Sequence, residues 1–150
     1  MEGSFFFAES MSIAERQEKL LSELEVLPTA EDKLSWLVER GERVPRVRPE
    51  EKNEAHQVKG CQSPVWLAGE VTADQRVFWR IETPSAMVRG LLGVLWELLE
   101  GATGEEISRT EIDFWSRSGL DKVLSPTRRQ GLAAVQQRIK EIAVKEVSRE

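Results

Sequence analysis

A single cysteine, Cys61, and a single histidine, His56, are all the thiol and imidazole in this chain of 150 residues. One thiol cannot close an internal disulfide. One thiol and one imidazole cannot fill the usual four-ligand zinc cage without carboxylates. Conventional iron–sulfur ligation, with about four thiolates, is excluded on the same count. No apolar run approaches the roughly 18 residues of a membrane span. Basic charge is in deficit too: 21 Lys and Arg against 26 Asp and Glu leave a net charge of -5. That argues against the basic footprint of a nucleic-acid binder. There is no internal repeat and no low-complexity tract. The start, Met1-Glu2-Gly3-Ser4-Phe5-Phe6-Phe7-Ala8, lacks the basic n-region of a secretory signal, and its apolar run is too short for one. A lone free thiol then fits a reducing cytoplasm better than an oxidising compartment.

What is present reads as one globular domain, with 40% hydrophobic and 31% charged residues. Residues 1–11 read as a flexible extension and 12–150 as the domain. Met11 offers an alternative start, and Phe5, Phe6 and Phe7 are either loose or docked on the body or a partner. Ser12 followed by Glu15 is a capping-box pattern, and Ile13, Leu20, Leu21, Leu24 and Leu27 keep helical spacing as far as Pro28. Thr29 caps a second helix over about 30–40, with Leu34, Trp36 and Leu37 as its apolar residues and Gly41 at its end. Residues 42–57 are charged, carry Pro45 and Pro49, and read as an extended surface connection.

Val65–Gly69 and Val77–Ile81 read as strands of a hairpin. Thr83-Pro84 predicts a helix start, with Thr83 as cap and Pro84 at the first helical position. Met87, Leu91, Val94, Leu95 and Leu98 give that helix its apolar face, Gly90 and Gly93 let a neighbour pack closely, and the helix ends at Gly101 before a turn containing Gly104. Residues 110–120 are ambiguous between strand and helix. Ser125-Pro126 opens a long last helix to about Val147. The sum is α+β, a small antiparallel sheet of about three strands packed by four or more helices. Tryptophans fall in or beside apolar elements and read as core, with Trp115 the best candidate for partial exposure.

Cys61 sits in Val58-Lys59-Gly60-Cys61-Gln62-Ser63-Pro64, just ahead of a strand. By residue type, a buried and inert small hydrophobe is the commoner role. By position, in a loop with Gly60 for freedom and polar Gln62-Ser63, display of a reactive thiol fits. A reactive thiol needs nearby positive charge, a helix N-terminus or a base. Lys59 and His56 are close in sequence, and Arg128 and Arg129 lie in the first turn of the last helix. His56 with Cys61 would make a cysteine–histidine pair, although a plain surface histidine explains it as well.

Several of these segments together resemble the SufE family of sulfur acceptor proteins. Val58-Lys59-Gly60-Cys61-Gln62-Ser63 with Val65-Trp66-Leu67 is similar to the family's cysteine loop. Ser85 to Leu91 resembles its next helix, and Leu124-Ser125-Pro126-Thr127-Arg128-Arg129-Gln130-Gly131-Leu132 the start of its final helix. Ala30 to Pro45 resembles its second helix. The resemblance runs in order from about Ser12 to Lys145. It implies an α+β fold similar to IscU-type scaffolds and a carrier without a cofactor of its own. It implies that Cys61 takes a sulfane sulfur from a pyridoxal-phosphate cysteine desulfurase (SufS-like), stimulating it. The sulfur then passes to an iron–sulfur scaffold complex (SufB-like). It carries the family's arginine onto Arg128 as the supporting residue; beside it, Gly60 is expected to give the loop reach and Lys59 to add support for the thiolate. Pro84, His56 and Pro64 depart from the family pattern, and Pro64 would stiffen the loop.

Overall fold

Ser12 opens the first helix as its sequence pattern predicts. Its hydroxyl accepts from the Glu15 backbone N–H, and the Glu15 carboxylate accepts from the Ser12 N–H in return. The computed structural model describes residues 11–148, so the expectations for the N-terminal extension and its phenylalanines lie outside the described residues. The elements are α1 (Ile13–Glu25), α2 (Ala30–Glu42), β1 (Trp66–Val71), β2 (Val77–Glu82), α3 (Ala86–Leu99), α4 (Gly104–Arg109), α5 (Phe114–Ser118) and α6 (Pro126–Ser148). Short 3-10 turns at Pro49–Glu51, Glu54–His56 and Leu120–Lys122 punctuate the connections. The α+β expectation holds.

The sheet has two strands among the described residues, not about three. β1 and β2 pair antiparallel, with Leu67 opposite Ile81, Gly69 opposite Trp79 and Val71 opposite Val77. Directly opposed residues share a face, so these six form the inner side, and Leu67, Val77, Trp79 and Ile81 are buried. The free edge of β2 is closed piecemeal. Val77 N–H donates to the Ala102 carbonyl (2.9 Å), Trp79 N–H to the Glu100 carboxylate (2.8 Å) and Ile81 N–H to the Pro45 carbonyl (2.8 Å). The free edge of β1 receives only a bridge from Gln57 to Trp66 and one hydrogen bond from Val58 N–H to the Val65 carbonyl (2.8 Å). A third strand stops there because the chain turns away at Gly60, whose φ is +93°.

The charged connection, which starts at 43 because α2 takes in Glu42, is a strap across the outer face of the hairpin. Glu51 is buried beneath Arg80, which donates to both its carboxylate oxygens and to Glu70. The paired guanidinium holds the Glu51 carboxyl down to about 2. Lys52 lies over the Trp66 ring at 5.1 Å and reaches Glu82 at 3.3 Å.

Helix α3 is buried along most of its length and forms the centre of the molecule. Its start is a correction to the sequence reading: Ser85, not Thr83, caps it, and Pro84 lies outside it. The reason is packing. Thr83 is buried at the end of β2 and its carbonyl accepts from Arg89, so the chain turns into the helix one step later. α2 runs through Gly41 to Glu42 and lies against α3 in the most extensive helix contact of the fold. A Cβ on Gly93 would stand 2.5 Å from the Arg40 backbone, so glycine sets that approach. Leu34, expected on the apolar side of α2, is exposed.

The turn expected at Gly104 is helix α4, capped by Thr103. The ambiguous segment 110–120 resolves into α5, ended by Gly119. Trp115, expected partly exposed, is buried, with its indole N–H on Gln136 at 2.7 Å and its ring edge-on to Phe114. Trp66 is the partly exposed one of the two. Among the described residues no helix is long and apolar enough to cross a membrane.

Candidate functional site

The neck formed by Gln57–Trp66 and Val58–Val65 projects residues 59–64 as a loop, and the loop leans on the first turns of α6. Ser125 caps α6, its hydroxyl accepting from Arg128 N–H and its carbonyl from Arg129 N–H. The capped helix brings Gly131 to face the loop. Cys61 is half-buried there, and its thiol donates to the Gly131 carbonyl with 3.5 Å between sulfur and oxygen. The helix backbone at Gly131 and the sulfur meet directly.

The thiol borders a cavity of about 70 Å³ enclosed by the loop, α3 and α6. Leu91, Leu92 and Val135 are its apolar buried walls, and Gln62, Thr127 and Arg128 its polar side. The volume is several times the roughly 10–15 Å³ that one water occupies on the same measure, so the sulfur has room to carry more atoms. Burial pushes the Cys61 thiol pKa up from its ordinary value. At neutral pH the resting group is the protonated thiol, a poor nucleophile and a poor target for oxidation.

Of the predicted site residues, the structure brings Cys61 and Arg128 to the same cavity, although they are far apart in sequence. Arg128 is exposed, and among the described residues its guanidinium makes no ion pair or hydrogen bond. Arg129 is committed elsewhere, donating to the carbonyls of Asp121 (2.9 Å) and Leu124 (3.0 Å). Lys59 does not line the cavity. It faces a neighbouring groove with Ala134 and Glu141 and pairs with Glu54 at 3.7 Å. His56 is held in the 3-10 turn, its ring nitrogen Nδ1 2.9 Å from the Asn53 side-chain oxygen, and it does not line the cavity either. Gly60 supplies the positive φ that starts the loop, 3.4 Å from Ala134 if a Cβ were added.

The α3 wall and the Gly131 carbonyl carry no local signal in the sequence. Nothing in the spacing of Leu91 and Leu92 says which element they face. Among the described residues no group of three or more His, Cys, Asp or Glu side chains is arranged to hold a metal ion.

The fold and this loop–helix site together define an α+β protein displaying a single thiol. Residues 18–143 match the model of the SufE family, described as an Fe-S metabolism associated domain. The chain belongs to that family, and its place is in iron–sulfur metabolism. A solved structure with a similar fold is a solution structure of a hypothetical protein from Thermus thermophilus. It shares 26% identity, aligns over 89% of this chain and 96% of that one, and superposes with a TM-score of 0.75.

Proposed function

We propose that this protein is a sulfur carrier that accepts a sulfane sulfur on Cys61 from the persulfide of a cysteine desulfurase. The observation that supports the reading is the half-buried thiol beside a cavity with one apolar and one polar wall, with Arg128 as the only cationic side chain on it among the described residues. In the transfer, the Cys61 thiolate attacks the outer sulfur of the donor persulfide. A bond forms between that sulfur and Sγ, the donor's sulfur–sulfur bond breaks, and its electron pair leaves with the donor cysteine as thiolate. Cys61 gives up one proton, which the departing thiolate or solvent takes up. No outside oxidant or reductant is consumed, and the step is a relative of thiol–disulfide exchange.

The resting thiol must be ionised to act, and burial opposes that. Arg128 supports the thiolate and then the persulfide once the partner displaces water from the cavity. Gly60 gives the loop the freedom to reach the partner's site. By removing the sulfur, the carrier frees the desulfurase for its next turnover. It then hands the sulfur to an iron–sulfur scaffold complex and is itself a carrier, not a turnover catalyst. No second thiol in the chain can resolve the persulfide, so the sulfur leaves only to another molecule. A thiol that must stay reduced between cycles suits the cytoplasm. A stand-alone cysteine–histidine hydrolase is disfavoured by the orientation of His56 toward Asn53 and away from the cavity.

Incubation with a pyridoxal-phosphate cysteine desulfurase and cysteine, followed by intact-mass measurement, tests the reading. The wild type should gain the mass of one sulfur, mapped to Cys61, and Cys61→Ser should gain none. A serine variant that still accepts sulfur would sink the assignment. Alkylation of Cys61 should accelerate with pH and have its midpoint above the ordinary thiol value of about 8.5, because burial raises it. A midpoint below that value would contradict the resting geometry.

A further inference from the structure

Gly131 lies inside α6, where glycine costs roughly 0.5–1 kcal/mol relative to alanine. Its backbone does not require glycine, since the positive-φ glycines are Gly60, Gly101 and Gly119. Crowding does not require it either. A Cβ there would meet Cys61 Sγ at 3.7 Å, Cα at 3.8 Å and Cβ at 3.9 Å, all ordinary contacts. Alanine therefore fits against the free thiol, and the resting state gives no reason for the glycine.

We propose that Gly131 is a positioning residue whose missing side chain leaves the space in which the outer sulfur of a Cys61 persulfide is held. The proposal rests on the carrier reading and adds which wall residue fits the site to one extra sulfur. A sulfur–sulfur bond is about 2.05 Å long, and non-bonded sulfur and carbon need about 3.5 Å or more. A methyl carbon 3.7 Å from Sγ would bar every sulfur–sulfur direction within roughly 70° of the line joining them. The thiol is already held at this wall by its hydrogen bond to the Gly131 carbonyl. The opposite wall is apolar, with half-buried Val88 on α3 the side chain most easily trimmed.

Sodium polysulfide loads sulfur without a partner protein. The Cys61 thiolate bonds to one polysulfide sulfur, and the remaining, shorter polysulfide leaves with the electron pair. Intact mass then gives the loaded fraction and its loss to dithiothreitol. Gly131→Ala should melt at the wild-type temperature or above it. Its persulfide should be about tenfold shorter-lived, the effect of about 1.4 kcal/mol of overpacking. Gly131→Ala combined with Val88→Ala should recover most of that lifetime. An alanine variant with the wild-type lifetime, a loss that Val88→Ala does not recover, a lowered melting temperature, or a wild type that polysulfide cannot load would each overturn the proposal. Wild type that polysulfide loads but a desulfurase with cysteine does not would instead defeat the carrier reading, leaving the claim about the space to the Gly131 comparison.

Discussion

Helix α3 carries two surfaces built on opposite terms. Toward α2 it presents Gly90 and Gly93, with the Leu37 and Arg40 backbones where side chains would otherwise stand. Over that seam Arg40 bonds Glu23, lies 4.4 Å above the Trp36 ring and comes within 3.0 Å of Glu97. Toward the cysteine loop the same helix presents Val88, Leu91 and Leu92, and there a cavity separates it from the loop and from the first turns of α6. Charge is paired inside the structure at the seam and left available at the cavity, where Arg128 has no ion-pair partner among the described residues. On this contrast α3 acts as a fixed wall: α2 immobilises it on one side so that a loop can work against it on the other.

Breaking the seam should therefore damage stability and leave the chemistry of the thiol alone. The largest effect is expected for Arg40→Met. Glu97 is already pushed up in pKa, its burial outweighing Arg40 and Arg43, and loss of Arg40 leaves a buried carboxylate with Arg43 at 3.7 Å and the weaker pull of Lys19. Removing one partner of a buried pair costs roughly 3–5 kcal/mol, and the remaining Arg43 keeps the expectation near the lower end. Urea unfolding checks it, and a loss below about 1 kcal/mol would mean that the seam is not held by this charge cluster. Gly93→Ala comes next, at about 1–3 kcal/mol for overpacking against the Arg40 backbone. Persulfide loading of the fraction that remains folded should match the wild type.

A smaller effect is expected where α3 ends. Glu100 caps the edge of β2 through Trp79 N–H, and burial raises its carboxyl from 4.5 to about 7 against the pull of Trp79, Arg16 and Arg80. The fold favours the protonated form. Its contribution is fully present below about pH 4.5 and is lost as pH rises through about 7. Above that, the buried ion weighs against folding by roughly 3 kcal/mol. Glu100→Gln keeps an acceptor for Trp79 and should gain about 2–3 kcal/mol at pH 8 but little at pH 4. Equal gains at both pH values would mean that the carboxyl titrates normally.

At the cavity the order reverses. Arg128→Ala should change stability by less than about 0.5 kcal/mol, as exposed substitutions do. It should still slow sulfur transfer about tenfold, or about 1.4 kcal/mol at the barrier. An unchanged transfer rate in the folded variant would make Arg128 an ordinary surface arginine.

The same contrast decides what can be read from the sequence. Local signals are legible: the Ser12 and Thr29 caps, the hairpin strands, the Ser125-Pro126 start, and Gly90 and Gly93 as sites of close packing. Helix α4 escapes the reading although Thr103 and Glu106 stand at cap spacing, because Gly101 and Gly104 suggest only a turn. Pro84 misleads because burial of Thr83 outweighs the preference of proline for a first helical turn. At the site, loop position and helix start offer Cys61 with Lys59, His56, Arg128 and Arg129 as candidates, and only the resemblance chooses Arg128 among them. Lys59 is two residues from Cys61 yet faces Glu54, and Gly131 is seventy residues away yet bonds the thiol. Tertiary packing sets those facts, and no local period carries them.

The central claim is that the single thiol of this SufE-family chain carries sulfur. Its most direct test is the mass of the wild-type protein after incubation with a cysteine desulfurase and cysteine, then separation from the enzyme. The account predicts one added sulfur, removable by dithiothreitol and located on Cys61. A protein that leaves such an incubation at its original mass, while the desulfurase itself carries persulfide, would contradict it.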